Sequence, residues 1–500
     1  MARTRLLPLC TLLLGACASA PAAMNGPVAA PPRTMAWLID SVADAPPLDH
    51  TTWGIEVRDQ QTGQILYQRN GNRHYIPASN TKLIVTTVAM GTLGPEFRYR
   101  TPIIAGQATG DGAVRGVMIV GKGDPTMSAR FWGRPLAVAY AIADSIYNAG
   151  IRGIDGPLII DASRFTDAMI NGTWEVGDLP GGSAPPVAAF AIDESIFRVV
   201  LVPGAQPGDP VTLTYPGWPE GTGGQPISTA RVRTDTAGAR GLIQSDFLGR
   251  RDTIFLSGTV PLNRADSASW SMTDPPLYAG RAIAAALEAK GVRVKDGVIV
   301  TRDSVSAAAA RRELGELREI ATLTSPPLSE IVQAILRPSQ NWIAETLLKT
   351  LGAELGSSGS WRGGLAVERD YLMQKVGLDS LDFNLRDASG MAPQNLLSPR
   401  AITRTLDHAR TQPWGALYRT ALAAPNVNGT LDNRLREYTG RLWGKTGTIS
   451  NVATLSGYLV TDSGREVTFS IMTNGTGLGS STVRRNADDI VRIIATHVGK

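Results

Sequence analysis

Tyr75-Ile76-Pro77-Ala78-Ser79-Asn80-Thr81-Lys82-Leu83-Ile84-Val85 is the stretch on which the reading of this chain turns. A strand-like lead-in meets a proline turn, and the apolar residues Leu83, Ile84, Val85 and Val88 predict a helix that starts at Ser79. Ser and Lys three positions apart on a helix share a face, so the lysine amine can reach the serine hydroxyl one turn earlier. A serine at a helix N-terminus also sits where unpaired N–H groups and the dipole favour developing negative charge. Alone the pair is weak, because an N-capping serine next to a solvated lysine explains it equally well.

Two more motifs give it weight. Ser339-Gln340-Asn341 follows Pro338, where one helix breaks and another restarts, and such a turn can present a hydroxyl and an amide into a cleft. Ordinary N-capping by Ser339 is the competing reading. Lys445-Thr446-Gly447-Thr448 lies in a run of strands continued by Leu455–Val460 and Val467–Met472, with turns at Ser450-Asn451 and Asp462-Ser463-Gly464. Gly444-Lys445-Thr446 also ends like a phosphate-binding loop. That loop requires four residues between its glycines and a helix afterwards, whereas Gly440 and Gly444 enclose only Arg441, Leu442 and Trp443, and strands follow. Together the three motifs describe a serine acyl-transfer site that needs no histidine. Its lysine base must be neutral, burial beside another cation is what brings a lysine pKa down, and Lys445 is the candidate for that second cation.

On these motifs the chain resembles the D-alanyl-D-alanine carboxypeptidase/endopeptidase family of low-molecular-weight, class C penicillin-binding proteins, of the penicillin-binding protein 4-like type with a large inserted domain. Gly121-Lys122-Gly123-Asp124-Pro125-Thr126, Asp387-Ala388-Ser389-Gly390 with Asn395, and Ser325-Pro326-Pro327-Leu328 resemble further family stretches, although Ala388 and Met391 stand where relatives often carry glycine and leucine. The resemblance implies an α+β fold, a penicillin-recognising serine transpeptidase-like domain whose antiparallel sheet is flanked by helices. It implies Ser79 as nucleophile, Lys82 as base, Ser339 as proton relay, Asn341 as orienting amide, and Lys445, Thr446, Gly447 and Thr448 as carboxylate- and substrate-binding groups. The N–H groups of Ser79 and Thr448 would hold the oxyanion. The implied partners are peptidoglycan stem peptides, with β-lactams as inhibitors. A β-lactamase, or an idle envelope-binding sensor of the same fold, are the alternatives.

Ser79 and Ser339 lie about 260 positions apart, more than one crossover requires, so a separate unit is expected between them. The expected division is a catalytic part over 34–96, a mostly β insert over 97–273 with two subdomains allowed, and a second catalytic part over 274–500, entered by an alanine-rich helix from Ala279 to Lys290 with Asp274 as its cap. Residues 1–22 carry Arg3 and Arg5, an apolar run and small residues, as a secretory leader does. Leu14-Gly15-Ala16-Cys17 resembles a lipobox, which makes Cys17 the lipidation site and 23–33 a Pro/Ala-rich tether. Simple cleavage after an Ala-x-Ala site is the other reading.

The address implied is the periplasmic side of a bacterial envelope. Both cysteines, Cys10 and Cys17, lie in the leader, so packing alone must stabilise the mature body. A net charge of +5 without basic runs argues against nucleic acid. His50, His74, His408 and His497 are scattered without ligand spacing, so neither metal nor cofactor is expected, and oligomeric state is unreadable.

Overall fold

The computed structural model describes residues 33–179, 181–216, 227–246 and 254–499, so the leader, Cys17 and nearly all of the tether lie outside the described residues. The catalytic scaffold is a five-stranded antiparallel sheet in the order Ile65–Arg69, Thr52–Asp59, Glu466–Asn474, Val452–Val460, Leu442–Ile449. Successive residues of a strand point to opposite faces, and here both faces are covered. Trp53, Ile55, Val57, Val467, Phe469 and Ile471 pack under the helices Met35–Ala43 and Ser480–His497. Burying each such side chain is worth about 1.5–3 kcal/mol. On the other face Tyr458 and Met472 join the apolar residues of the helices Lys82–Thr92, Leu328–Leu336, Asn341–Leu355 and Pro399–Thr411. The motif-bearing segments therefore meet between the sheet and its larger helical layer.

The inserted unit is pinned at its neck. Ser325 N donates to Tyr99 O at 3.0 Å and Tyr99 N to Ser325 Oγ at 2.9 Å, while Leu328 N reaches Phe97 O at 2.9 Å. Between these points a mixed five-stranded sheet runs in the order Val298–Thr301, Leu158–Asp161, Val117–Val120, Arg100–Ala105, Arg318–Thr324. Two helices, Ala137–Asn148 and Pro275–Glu288, share its core with Ile103, Ile119 and Ile160.

Here the structure departs from the expected division. Asp274 does cap the helix after it, accepting from Leu277 N at 3.3 Å, but that helix packs on the insert, and the later strands to Thr324 pair with it too. The chain re-enters the catalytic unit near Ser325 rather than Asp274, because the apolar face of that helix (Ala279, Ala282, Ile283, Ala286) fits the insert sheet. A second, all-β module within the insert joins two three-stranded sheets around Phe197, Val199, Leu201, Val232, Leu256 and Trp270. The insert is thus mixed in one module and β in the other.

Candidate active site

Ser79 lies in a turn of 3-10 helix, Ala78–Thr81, that leads into the α-helix Lys82–Thr92, rather than at the first position of the α-helix itself. In a 3-10 turn side chains three apart eclipse, which stacks Lys82 directly over Ser79. The lysine Nζ donates to Ser79 Oγ at 2.8 Å. Ala78 is held at φ +46°, a left-handed conformation costly for a residue with a Cβ, and the turn is clamped from the sheet: Thr454 Oγ1 donates to Pro77 O at 3.0 Å and Asn80 Nδ2 to Ser456 Oγ at 2.7 Å. No side chain caps either helix here, so the N-cap reading of Ser79 does not apply.

Lys82 is fully buried and has two more partners, Asn341 Oδ1 at 2.7 Å and Ser389 O at 2.5 Å. Burial lowers its pKa to about 7, against the opposing pull of Asp387 and Glu345. Three acceptors suit an ammonium. A neutral amine has two N–H bonds, which can stay on Asn341 and Ser389 while the lone pair turns to the serine hydroxyl and receives its proton. Lys445, also fully buried, donates to Ser339 Oγ at 2.8 Å and to Thr446 O at 2.6 Å. Burial and then Lys82 depress it well below the ordinary lysine range. Of the two causes expected for Lys82, burial is the governing one, and the neighbouring charge of Lys82 adds to the depression of Lys445.

Ser339, at φ +64°, occupies the turn between the helices Leu328–Leu336 and Asn341–Leu355. It does not cap the second helix. Gln340 does, accepting from Ile343 N at 2.8 Å, and this leaves the Ser339 hydroxyl to Lys445. Thr446 and Gly447 are buried on the strand Leu442–Ile449, with Thr448 exposed beyond them. A Cβ on Gly447 would stand 2.9 Å from both Pro77 O and Ser79 N, so only glycine lets this strand lie against the Ser79 turn. Lys82 bonds Ser79 and Asn341, Lys445 bonds Ser339, and the turn carrying Ser339 and Asn341 holds these two sets side by side next to the Thr446–Thr448 strand.

Several residues here were not assigned a role from sequence. Glu345 accepts from the N–H groups of Ala388 and Ser389 at 3.0 and 2.6 Å and from Trp361 Nε1 at 2.7 Å, which fixes the loop whose Ser389 carbonyl holds Lys82. Asp387 braces the same loop through Gly390 N, Ala392 N, Asn395 Nδ2 and Trp174 Nε1. Burial, then Asp387, pushes Glu345 up to about 7, and burial holds the unpartnered carboxyl of Glu368 well above the usual range. Nothing local in the sequence marks Glu345 or Glu368 as buried. The quoted stretch Asp387–Gly390 was the only signal. Gly121–Thr126 is a structural turn of the insert, where Asp124 accepts from Thr126 N at 2.9 Å. Among the described residues no His, Cys, Asp and Glu side chains gather in a metal-binding set.

The chain has recognisable relatives in sequence and in fold. The chain is similar to the D-alanyl-D-alanine carboxypeptidase of Actinomadura sp. (strain R39), 30% identical over 452 residues, covering 87% of this chain and 80% of that protein. Penicillin-binding protein 4 from Haemophilus influenzae superposes with a TM-score of 0.78 at 19% identity, over 92% of this chain and 99% of that one. A structure of the same Haemophilus protein complexed with a β-lactam superposes at 0.73 with 18% identity over the same shares. With residues 35–497 matching it, nearly the whole chain, this protein belongs to the D-Ala-D-Ala carboxypeptidase 3 (S13) family.

Proposed function

We propose that Ser79 is the acylated nucleophile of this serine-type D-Ala-D-Ala carboxypeptidase and Lys82 its base. The observation that carries this reading is the fully buried amine of Lys82, 2.8 Å from the hydroxyl of the partly buried Ser79. Ser79 Oγ attacks the carbonyl carbon of the penultimate D-alanine in a peptidoglycan stem peptide, and its proton passes to Lys82 Nζ. The N–H groups of Ser79 and Thr448 receive the oxyanion. The C–N bond then breaks, a proton reaches the leaving D-alanine nitrogen through Ser339, and water hydrolyses the acyl-serine. Asn341 orients Lys82 and the substrate amide, while Lys445 with Thr446 attracts the terminal carboxylate. Gly447 keeps the strand close enough for both.

A cross-linked peptide presents the same D-alanyl bond with a longer leaving group, so the site also acts as an endopeptidase. β-Lactams acylate Ser79 because their strained amide imitates that bond; the Haemophilus protein of the same fold was solved with one bound. The enzyme works in the cell envelope, tethered through a diacylated Cys17; among the described residues no helix is long and apolar enough to cross a membrane. Incubation with purified muropeptides tests the activity: release of D-alanine from monomers and conversion of dimers to monomers are expected, and both must vanish in Ser79→Ala. A fluorescent penicillin that still labels Ser79→Ala would defeat the assignment. Rapid multiple turnover of nitrocefin would move the reading to a β-lactamase. Mass spectrometry of membrane-extracted protein settles the anchor, with an unmodified N-terminus excluding it.

A further inference from the structure

The second motif is gripped from outside the catalytic unit, by a run of strained backbone in the insert. Asp193, Glu194 and Ser195 are three consecutive non-glycine residues in the left-handed region, at φ 49°, 59° and 58°. Each such residue costs of order 1–3 kcal/mol and persists only where its surroundings over-determine it. Here they do. The Asp193 carboxylate accepts from Ala129 N and Leu136 N, both at 3.0 Å, Asp193 N donates to Met127 O at 2.9 Å, and Met272 N donates to Ser195 O at 2.8 Å.

The strain aims one side chain. Glu194, 8% exposed, is seized by Arg130, whose Nε donates to Oε1 at 2.6 Å and Nη2 to Oε2 at 3.1 Å. Its Oε2 accepts from Gln340 Nε2 at 2.6 Å. The other end of that amide caps the helix Asn341–Leu355, so both ends of Gln340 are committed and its orientation is fixed. Gln340 stands between Ser339, on Lys445, and Asn341, on Lys82.

We infer that Glu194, held by Arg130, is a positioning residue of the reaction: through Gln340 it keeps the strained Ser339 turn on Lys445, and the insert thereby completes the active site. This rests on the reading of Ser79, Lys82, Ser339 and Lys445 given above, whose own test is acylation of the unaltered enzyme. A turn bearing a left-handed serine has a more relaxed conformation to fall into, and the charge-assisted bond from the insert is what opposes it.

The test is an exchange of the two partners, read as kcat and KM on a D-alanyl-D-alanine peptide and as the acylation rate with a fluorescent penicillin. Gln340→Glu places a second carboxylate against Glu194 and should lower kcat and acylation about tenfold with KM within about twofold. Glu194→Gln alone keeps an acceptor and should lose less. Combined, the two substitutions restore a carboxylate–amide pair with its direction reversed, and the rates should return to within about threefold of the unaltered enzyme. Gln340→Ala adds no charge but also removes the cap of the helix Asn341–Leu355, so it should slow acylation and lower the melting temperature slightly. The inference is overturned if Gln340→Glu and Gln340→Ala acylate at the normal rate, or if the exchanged pair does no better than Gln340→Glu alone. If the unaltered enzyme is not acylated at Ser79, it is the parent reading that fails.

Discussion

Deprotonation of Lys82 should set the pH profile of acylation. With a pKa of about 7, about one tenth of the amine is neutral at pH 6, half at pH 7 and nine tenths at pH 8. An ordinary lysine would be neutral in fewer than about one molecule in a thousand at pH 7. The difference between 10.5 and about 7 is worth about 5 kcal/mol in favour of the uncharged base, and desolvation is its main source. The rate constant for acylation by a fluorescent penicillin, quenched in detergent at each pH from 5 to 9, should rise about tenfold from pH 6 and level off near pH 8. A rate still climbing tenfold per pH unit between pH 8 and 9 would mean that Lys82 keeps an ordinary affinity for its proton, and a flat profile would mean that it is not the base. Lys82→Arg, which cannot lose its charge, should cost about 10²–10⁴ in rate. The same depression acts on stability. Between about pH 7 and 10.5 the unfolded chain binds more protons at this site than the native one does, so its contribution to stability rises with pH across that window, and the cost is fully present below it.

Gly390→Ala would place a methyl 1.9 Å from Ala78 O at a φ of +84°, so we expect a loss of about 1–3 kcal/mol in denaturant unfolding and slower acylation as Ser389 O leaves Lys82. Glu368→Met replaces a fully buried carboxyl with no hydrogen-bond partner by an apolar chain of similar volume, and should raise stability by about 1–3 kcal/mol in a thermal melt. Lys349→Met removes a buried ammonium that bonds Asp167 at 2.5 Å and lies 3.9 Å from the Trp361 ring; the half-exposed Asp167 can rehydrate, so the loss should fall at or below about 3 kcal/mol by denaturant unfolding.

The residues of the proposed site were legible in the sequence because their motifs are local. Ser79 and Lys82 share one turn, Ser339 and Asn341 flank one proline-broken helix, and Lys445 stands in an alternating strand. The supports of those groups were not legible. Glu345 follows Ala344 in a helix whose sequence does not distinguish its buried face, and only the approach of the Asp387–Gly390 loop makes it an acceptor for two backbone N–H groups. The boundary near Asp274 misled for a related reason: a helix cap can be read from neighbouring residues, but the partner of the helix's apolar face cannot. Strand pairing over hundreds of residues was equally out of reach, so the antiparallel sheet could be expected as a class but its order could not.

That long-range pairing bears on how the molecule is made. The strand Thr52–Asp59 pairs at once with Ile65–Arg69, but it finds its second neighbour only in Glu466–Asn474, next to last among the elements to be synthesised. A nascent chain must therefore carry an orphaned hairpin and the greasy helix Lys82–Thr92 through most of its translation, while the described residues between 100 and 324 already own cores of their own and can condense first. Deleting even the last strand and helix would strand that early hairpin for good, so truncated products should aggregate or be degraded, and quality control, rather than chemistry, would be the first process to notice them.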